Sequence, residues 1–535
     1  MSTLLIKNGW IYDGLGNKKT KSSILIQDDK IEKIAPDISA PADIEIDASN
    51  KCVTPGFIDI HRHCDIKPFN SQDLGDVMLA QGITTTVVGN CGISMTPFST
   101  NPAAALIMHN YHEPALGPAY TPDIHTFPQY MNALEKKPLP LNFAALIGTG
   151  SVKISIKGFA NTPFSKEEMK QAQSIIDEAI QAGAAGVSVG IMYQPECYNT
   201  TQDYINMLKP LGKNNAIVAA HIRDEGDGMV SSVAEMIEIG KRVGCKIEIS
   251  HFKSCNKNNW NREIFKAIDL IDKARSEGLD IAADLYPYDC GSTSLSTLLP
   301  DSFVSGDMEK ALQKLGTPEG IAEYRRLGAE KWHGWNHWEE VLGWDRIIIS
   351  GVTKEHNKKY LGKSVAQSVQ EYGFTDGCEL VGYLIHNEDG KTALINRTMC
   401  ESDIEAVAKL PYSIFISDSI YSQTDTPHPR MYGAFPKVIR DYVNERHLFP
   451  LETAIKKMTS MPAARMKLER RGVLKEGYYA DINIFDPAEF KDTATFKDPA
   501  RLSVGLDYCI VNGKVALKAG KSTSGKFGRA IRSSY

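Results

Sequence analysis

The chain has 535 residues, of which 23% are charged, and a formal net charge of -5. That length can bury a large core and hold more than one domain. The charge balance excludes a nucleic-acid binder built on a basic face, and no apolar run approaches the ~18 residues of a membrane span.

Leu4-Leu5-Ile6 is too short to be the apolar centre of a signal peptide. The ten cysteines include no Cys-x-x-Cys pair. They suit free thiols in a reducing cytoplasm, most of them packed as small hydrophobes.

The first stretch reads as short strands joined by turns. Leu4-Leu5-Ile6 is followed by a turn signal, Lys7-Asn8-Gly9, and then by Trp10-Ile11-Tyr12. Runs at 23–27 and 31–34 flank Asp28-Asp29-Lys30 in the same way.

From Pro55 the rhythm changes. Apolar, β-branched runs alternate with helical segments, which predicts βα units and a parallel sheet. Strands are expected at 57–60, 83–89, 143–147, 186–190, 217–220, 247–250, 280–285 and 413–417. Eight is the number that a closed (β/α)8 TIM-like barrel requires. Between the third and fourth, Ser165 and Glu168 form a capping box ahead of a stripe of Met169, Ala172, Ile175, Ile176 and Ala179, which predicts a helix.

Two connections are long. The stretch 96–140 is punctuated by Pro97, Pro102, Pro114, Pro118, Pro122 and Pro128, as lid loops on a barrel's active face often are. Its histidines, His109, His112 and His125, are read as solvated or structural. Roughly 125 residues separate the last two strands, so this stretch must hold an insertion. Strand-like runs occur there at 346–350 and 380–385, and the tryptophans of Trp332-His333-Gly334-Trp335-Asn336-His337-Trp338 are read as core or lid packing.

The chain closes with Tyr478 to Phe485 and an Asn512-Gly513 hairpin. The expected organisation is a small β-sandwich built from residues 1–54 and 474–535 beside a metal-dependent barrel at 55–473, with the insertion at about 290–400.

Barrel enzymes keep their active sites at the C-terminal ends of the strands. The first strand ends in His61-Arg62-His63, whose alternation puts both imidazoles on one side. The second runs into Cys91, the fifth ends at His221, the sixth at His251 and the eighth at Asp418. Imidazole and thiolate are zinc ligands, whereas hard ions take carboxylates and carbonyls. One ion would take His61, His63 and Asp418, and another His221 and His251, with Cys91 within reach of either.

These motifs resemble the D-aminoacylase (N-acyl-D-amino-acid deacylase) family of the amidohydrolase superfamily. The resemblance runs through Pro55-Gly56-Phe57-Ile58-Asp59, Val87-Val88-Gly89-Asn90-Cys91-Gly92, His221-Ile222-Arg223-Asp224-Glu225 and Ser250-His251-Phe252-Lys253. It continues through Tyr286-Pro287-Tyr288, Gly291-Ser292-Thr293, Ser417-Asp418, His428-Pro429-Arg430-Met431-Tyr432-Gly433 and Lys457-Met458-Thr459-Ser460. The resemblance implies a cytoplasmic zinc hydrolase of N-acyl-D-amino acids, monomeric or homo-oligomeric. It implies a tightly held zinc at Cys91, His221 and His251, a weaker site at His61 and His63, and Asp418 as proton shuttle. It also implies Lys253, Tyr193, Tyr288, Ser292 and Arg430 as substrate-binding candidates.

Two positions depart from the family pattern. Cys64 replaces an acidic or small polar residue, and Thr149 stands between two glycines where relatives commonly carry histidine. From Tyr288 to Ala322 there is no arginine, which favours a neutral or apolar substrate side chain over a second carboxylate. A hydantoinase- or dihydroorotase-like cyclic-amide hydrolase shares the barrel but normally bridges its metals with a modified lysine. The third and fourth strand ends offer none. A non-catalytic metal-binding scaffold is the other alternative, and the full set of ligands with Asp418 argues against it.

Overall fold

The computed structural model describes residues 2–70, 74–117, 123–330, 341–421 and 426–535. The tryptophan-rich segment, Pro118 and Pro122 lie outside the described residues.

Eight parallel strands form the centre: β1 (Phe57–Asp59), β2 (Ile83–Val88), β3 (Asn142–Ala145), β4 (Val187–Gly190), β5 (Ile217–His221), β6 (Lys246–Ile249), β7 (Ile281–Leu285) and β8 (Ser413–Phe415). Almost every residue in them is buried, as expected for strands covered on both faces. β1, β2 and β3 pair in order. After Leu146 the third strand resumes as Ile147–Gly148, which pairs with β4, and pairing continues through β8.

Side chains complete the ring between β8 and β1. Ser417 donates from its backbone N and Oγ to the two oxygens of Asp59, at 3.1 and 2.5 Å. Asp418 N donates to His61 O at 2.9 Å. Ser419–Ile420 then pairs in parallel with Arg62–His63. The result is a (β/α)8 barrel whose last strand is latched to its first at the level of the candidate ligands. The helix Lys166–Gln181 begins at the expected Ser165/Glu168 capping box and buries Ala172, Ile176, Ala179 and Ile180.

Both chain ends contribute to one nine-stranded sheet around its own apolar cluster, including Ile6, Ile24, Val53, Ile482 and Ile510. Here the turn expected at Lys7-Asn8-Gly9 is absent. Thr3–Ile11 is a single strand with a bulge between Ile6 and Gly9, where Asn8 takes φ +64°. Asparagine tolerates that conformation, so the break in pattern is a bulge and not a chain reversal. The bulge splits the strand's pairing: Leu4–Lys7 pair with Ile44–Asp47, whereas Trp10 and Ile11 pair with Cys52 and Val53.

After β7 the chain forms a three-stranded antiparallel sheet of Gly291–Ser294, Ala393–Asn396 and Ile347–Gly351. The strand-like run at 380–385 is instead part of the helix Gly377–Asn387. Asp376 caps it by accepting from Glu379 N at 2.9 Å. Leu380, Val381, Leu384 and Ile385 recur on one helical face, packed into the insertion's own core.

The long connection after β2 carries two helices, Pro102–Leu116 and Phe127–Glu135. Its histidines bond within the protein: His112 Nε2 to Ser151 Oγ at 3.0 Å and His125 Nδ1 to Phe98 O at 3.2 Å. His109 Nε2 lies 3.7 Å from Glu113. Among the described residues, no helix is long and apolar enough to cross a membrane.

Candidate metal centre

Six side chains converge at the C-terminal mouth of the barrel. Cys91 Sγ lies 3.2 Å from His61 Nε2 and 3.5 Å from His251 Nε2. His221 Nδ1 lies 2.8 Å from His251 Nε2. Asp418 Oδ1 lies 3.4 Å from His61 Nε2 and 3.5 Å from His63 Nε2. All six residues are buried. Five of them form two donor triads, His61–His63–Cys91 and Cys91–His221–His251, each with its ligand atoms within 4.8 Å of one another, and the thiol is common to both.

Alternation on the first strand places His61 and His63 in the mouth and turns Arg62 away. Its guanidinium donates to Asp59 Oδ2, Tyr421 OH and Met431 O at 3.2, 3.0 and 3.0 Å. Arg62 therefore ties the ligand strand to the start of the helix Arg430–Lys437. Cys64, next along, is packed in the apolar core, so this departure from the family pattern faces away from the metal centre.

Three of the six have left-handed backbones: Cys91 at φ +54°, His251 at +35° and Asp418 at +48°. Each lies just past the end of its strand. Such a residue costs about 1–3 kcal/mol and persists only where its surroundings enforce it, most often at functional sites.

Burial lowers His61 to about 4, and it takes His221 and His251 well below the usual histidine range. All three are therefore neutral imidazoles, the form that binds metal. Burial, reinforced by Asp418, pushes the Cys91 thiol up. A thiolate at this depth needs a cation beside it. Among the described residues, the Nδ1 atoms of His61 and His63 have no hydrogen-bond partner. A buried nest of imidazoles around one thiol, with a carboxylate at its edge, fits zinc.

The supporting shell holds three residues that the strand pattern did not single out. Glu225 Oε1 lies 2.9 Å from His251 Nδ1, on the side of the ring away from Cys91, while Nε2 faces the thiol. Asp284 Oδ1 accepts from His251 N at 2.5 Å, and its other oxygen lies 3.7 Å from His61 Nδ1. Tyr286 stacks under Arg430 at 4.6 Å and beside Lys253 at 5.9 Å. Two of them left a trace in the sequence: Glu225 is four residues beyond His221, and Asp284 is the one acid in the apolar run 281–285.

The candidate substrate residues divide. Lys253 Nζ donates to Glu225 Oε1 at 2.6 Å and lies 2.8 Å from His251 Nδ1. Arg430 Nη1 is 2.8 Å from Asp418 Oδ2. Burial works to raise the Asp418 carboxyl, but Arg430 and the neighbouring histidines outweigh it and hold it well below the usual range. Tyr193 packs its ring 4.5 Å from His221. Ser292 and Arg430 line a small cleft with Ser350, Ser419, His428 and Met431.

Tyr288 is turned away from this group. The chain folds back between Tyr286 and Tyr288, whose N donates to Tyr286 O at 3.0 Å. The Tyr288 hydroxyl then points at Pro429 O, 3.5 Å away. Strand alternation stops at that bend, and Tyr286 takes the place at the site.

The model of the Amidohydrolase family matches residues 45–146 and 412–517. D-aminoacylase of Alcaligenes xylosoxydans xylosoxydans is 29% identical over 529 residues, covering 99% of this chain and 97% of that protein. N-acyl-D-glutamate deacylase of the same organism is 30% identical over 512 residues, covering 95% and 92%. The crystal structure of N-acyl-D-glutamate deacylase from Bordetella bronchiseptica, complexed with zinc and a phosphonate that mimics the tetrahedral intermediate, superposes with a TM-score of 0.82 at 29% identity over 99% of both chains. With likeness over nearly its full length, the chain belongs to the D-aminoacylase family of amidohydrolases.

Proposed function

We propose that the protein is a zinc-dependent N-acyl-D-amino-acid deacylase, which hydrolyses a linear amide to a carboxylic acid and a free D-amino acid. The observation that carries this reading is the single thiol shared by two donor triads, with Asp418 against one and Arg430 against Asp418. Its relatives over nearly the full length act on N-acyl-D-amino acids by name, and one binds zinc with a mimic of the reaction intermediate.

Cys91, His221 and His251 would hold the first zinc. His61, His63 and Asp418 would serve a second, with Cys91 between them. Bound zinc supplies Lewis-acid activation of water and of the amide carbonyl. Asp418 accepts the proton of the attacking water and returns it to the departing amine nitrogen. Its ionised state, held by Arg430, suits it to the first of these transfers.

The substrate's carboxylate is met by cations that are already half-engaged. Arg430 has a buried Nε without a hydrogen-bond partner among the described residues. Lys253 lies beside it across the Tyr286 ring. Ser292 offers a hydroxyl from the cleft wall. Ten free cysteines, eight of them buried, suit a reducing cytoplasm as the compartment.

The test is a screen of N-acetyl-D- and N-acetyl-L-amino acids, hydantoin and dihydrouracil on the zinc-loaded protein, read by released amine or ring opening. Release from D-substrates is expected. Turnover of L-substrates alone overturns the stereochemistry, and turnover of the cyclic amides alone overturns the linear-amide reading.

A further inference from the structure

The strained turn Asn90-Cys91-Gly92 does not stand by itself. Cys91 and Gly92 both have positive φ, +54° and +72°. Gly92 N donates to Ser188 Oγ at 3.0 Å, and Gly92 O accepts from Ser151 N at 3.0 Å. The neighbouring backbones come too close for side chains. A Cβ on Gly190 would stand 2.1 Å from Cys91 O, and one on Gly148 would stand 2.3 Å from Gly92 O.

One long side chain enters this packed space. Glu196 is fully buried, and its Oε1 would be 1.8 Å from a Cβ on Gly92. The carboxyl is held on three sides. Oε1 accepts from Gly190 N at 3.0 Å, while Oε2 meets Thr149 Oγ1 at 2.5 Å and Tyr204 OH at 3.1 Å. These partners come from β4, the helix Thr149–Lys157 and the helix Thr201–Met207, so the carboxyl joins three elements beneath the thiol's turn. Thr149, the departure from the family pattern, is one of the three.

We propose that Glu196 is a positioning residue that holds the left-handed Cys91–Gly92 turn in place and so aims the Cys91 sulfur at the centre of the donor set. It touches neither substrate nor the candidate ligands' donor atoms. The proposal rests on the reading of Cys91 as a metal ligand.

The test substitutes cobalt for zinc and follows the sulfur-to-cobalt charge-transfer absorption per bound metal. Glu196→Ala should weaken that absorption and lower metal affinity about 10–100-fold, as the loss of an outer partner does. Glu196→Gln keeps the acceptor for Gly190 N and should restore both. Full absorption in Glu196→Ala overturns the proposal, as does a Gln variant as impaired as the Ala variant. If Glu196→Ala does not fold, the double variant Thr149→Val, Tyr204→Phe, which strips two hydroxyls from the carboxyl, replaces it under the same criteria. A wild-type protein that binds cobalt without this absorption overturns the metal-ligand role of Cys91 itself, an outcome distinct from the failure of the Glu196 proposal.

Discussion

The two halves of the centre are built from similar donors and supported differently. On the Cys91–His221–His251 side, Glu225 takes the outer nitrogen of His251 and stands 3.9 Å from His221 Nε2. Lys253 locks Glu225 in turn, and Asp284 fixes the His251 backbone. On the His61–His63–Asp418 side, neither histidine's outer nitrogen has a hydrogen-bond partner among the described residues, Asp284 standing 3.7 Å from that of His61, and Arg430 engages the carboxylate. Outer partners set ring orientation and basicity, so the first half is arranged before a metal arrives. The second half must be completed by it. This contrast supports the proposed tightly held zinc in the first half and an exchanging one in the second, with proton transfer on the side that is free to change.

The strongest way to separate the halves is Asp418→Asn. It should lower kcat by about 10²–10⁴-fold, the usual worth of a general acid-base, while metal analysis still finds zinc bound. Near-wild-type kcat would remove Asp418 from the mechanism. Glu225→Gln acts on the other half and should weaken zinc binding about 10–100-fold in a competition titration with a chelator. Gly92→Ala presses a methyl into Glu196 at 1.8 Å and adds strain at φ +72°. It should cost about 1–3 kcal/mol in denaturant unfolding. The smallest effect belongs to His63→Asn, which should change affinity for the first zinc by no more than about threefold, well below an outer-partner loss on the other half. Equal losses from His63→Asn and Glu225→Gln would erase the distinction between the halves.

Much of this was legible in the sequence, for a physical reason. Strands buried on both faces read as apolar runs, and the residue just past each run is where a barrel puts its chemistry, so His61, His63, Cys91, His221, His251 and Asp418 could be picked out one by one. What could not be read depends on contacts across strands. Glu196 matters because Gly190, Thr149 and Tyr204 surround it, and nothing local to Pro195-Glu196-Cys197 says so. Tyr286 and Tyr288 could not be told apart because the bend between them cancels alternation. Leu380 to Ile385 read as a strand because a short apolar run has no period of its own. The Asp376 cap, four residues upstream of Leu380, decides for a helix.

The most direct test of the central claim is a zinc titration of chelator-treated protein, following amine release from N-acetyl-D-methionine. The account predicts no turnover without metal and a rise that is complete near one equivalent, lost in Cys91→Ala and retained in His63→Asn. Full activity in the metal-free protein, or in Cys91→Ala, would contradict it.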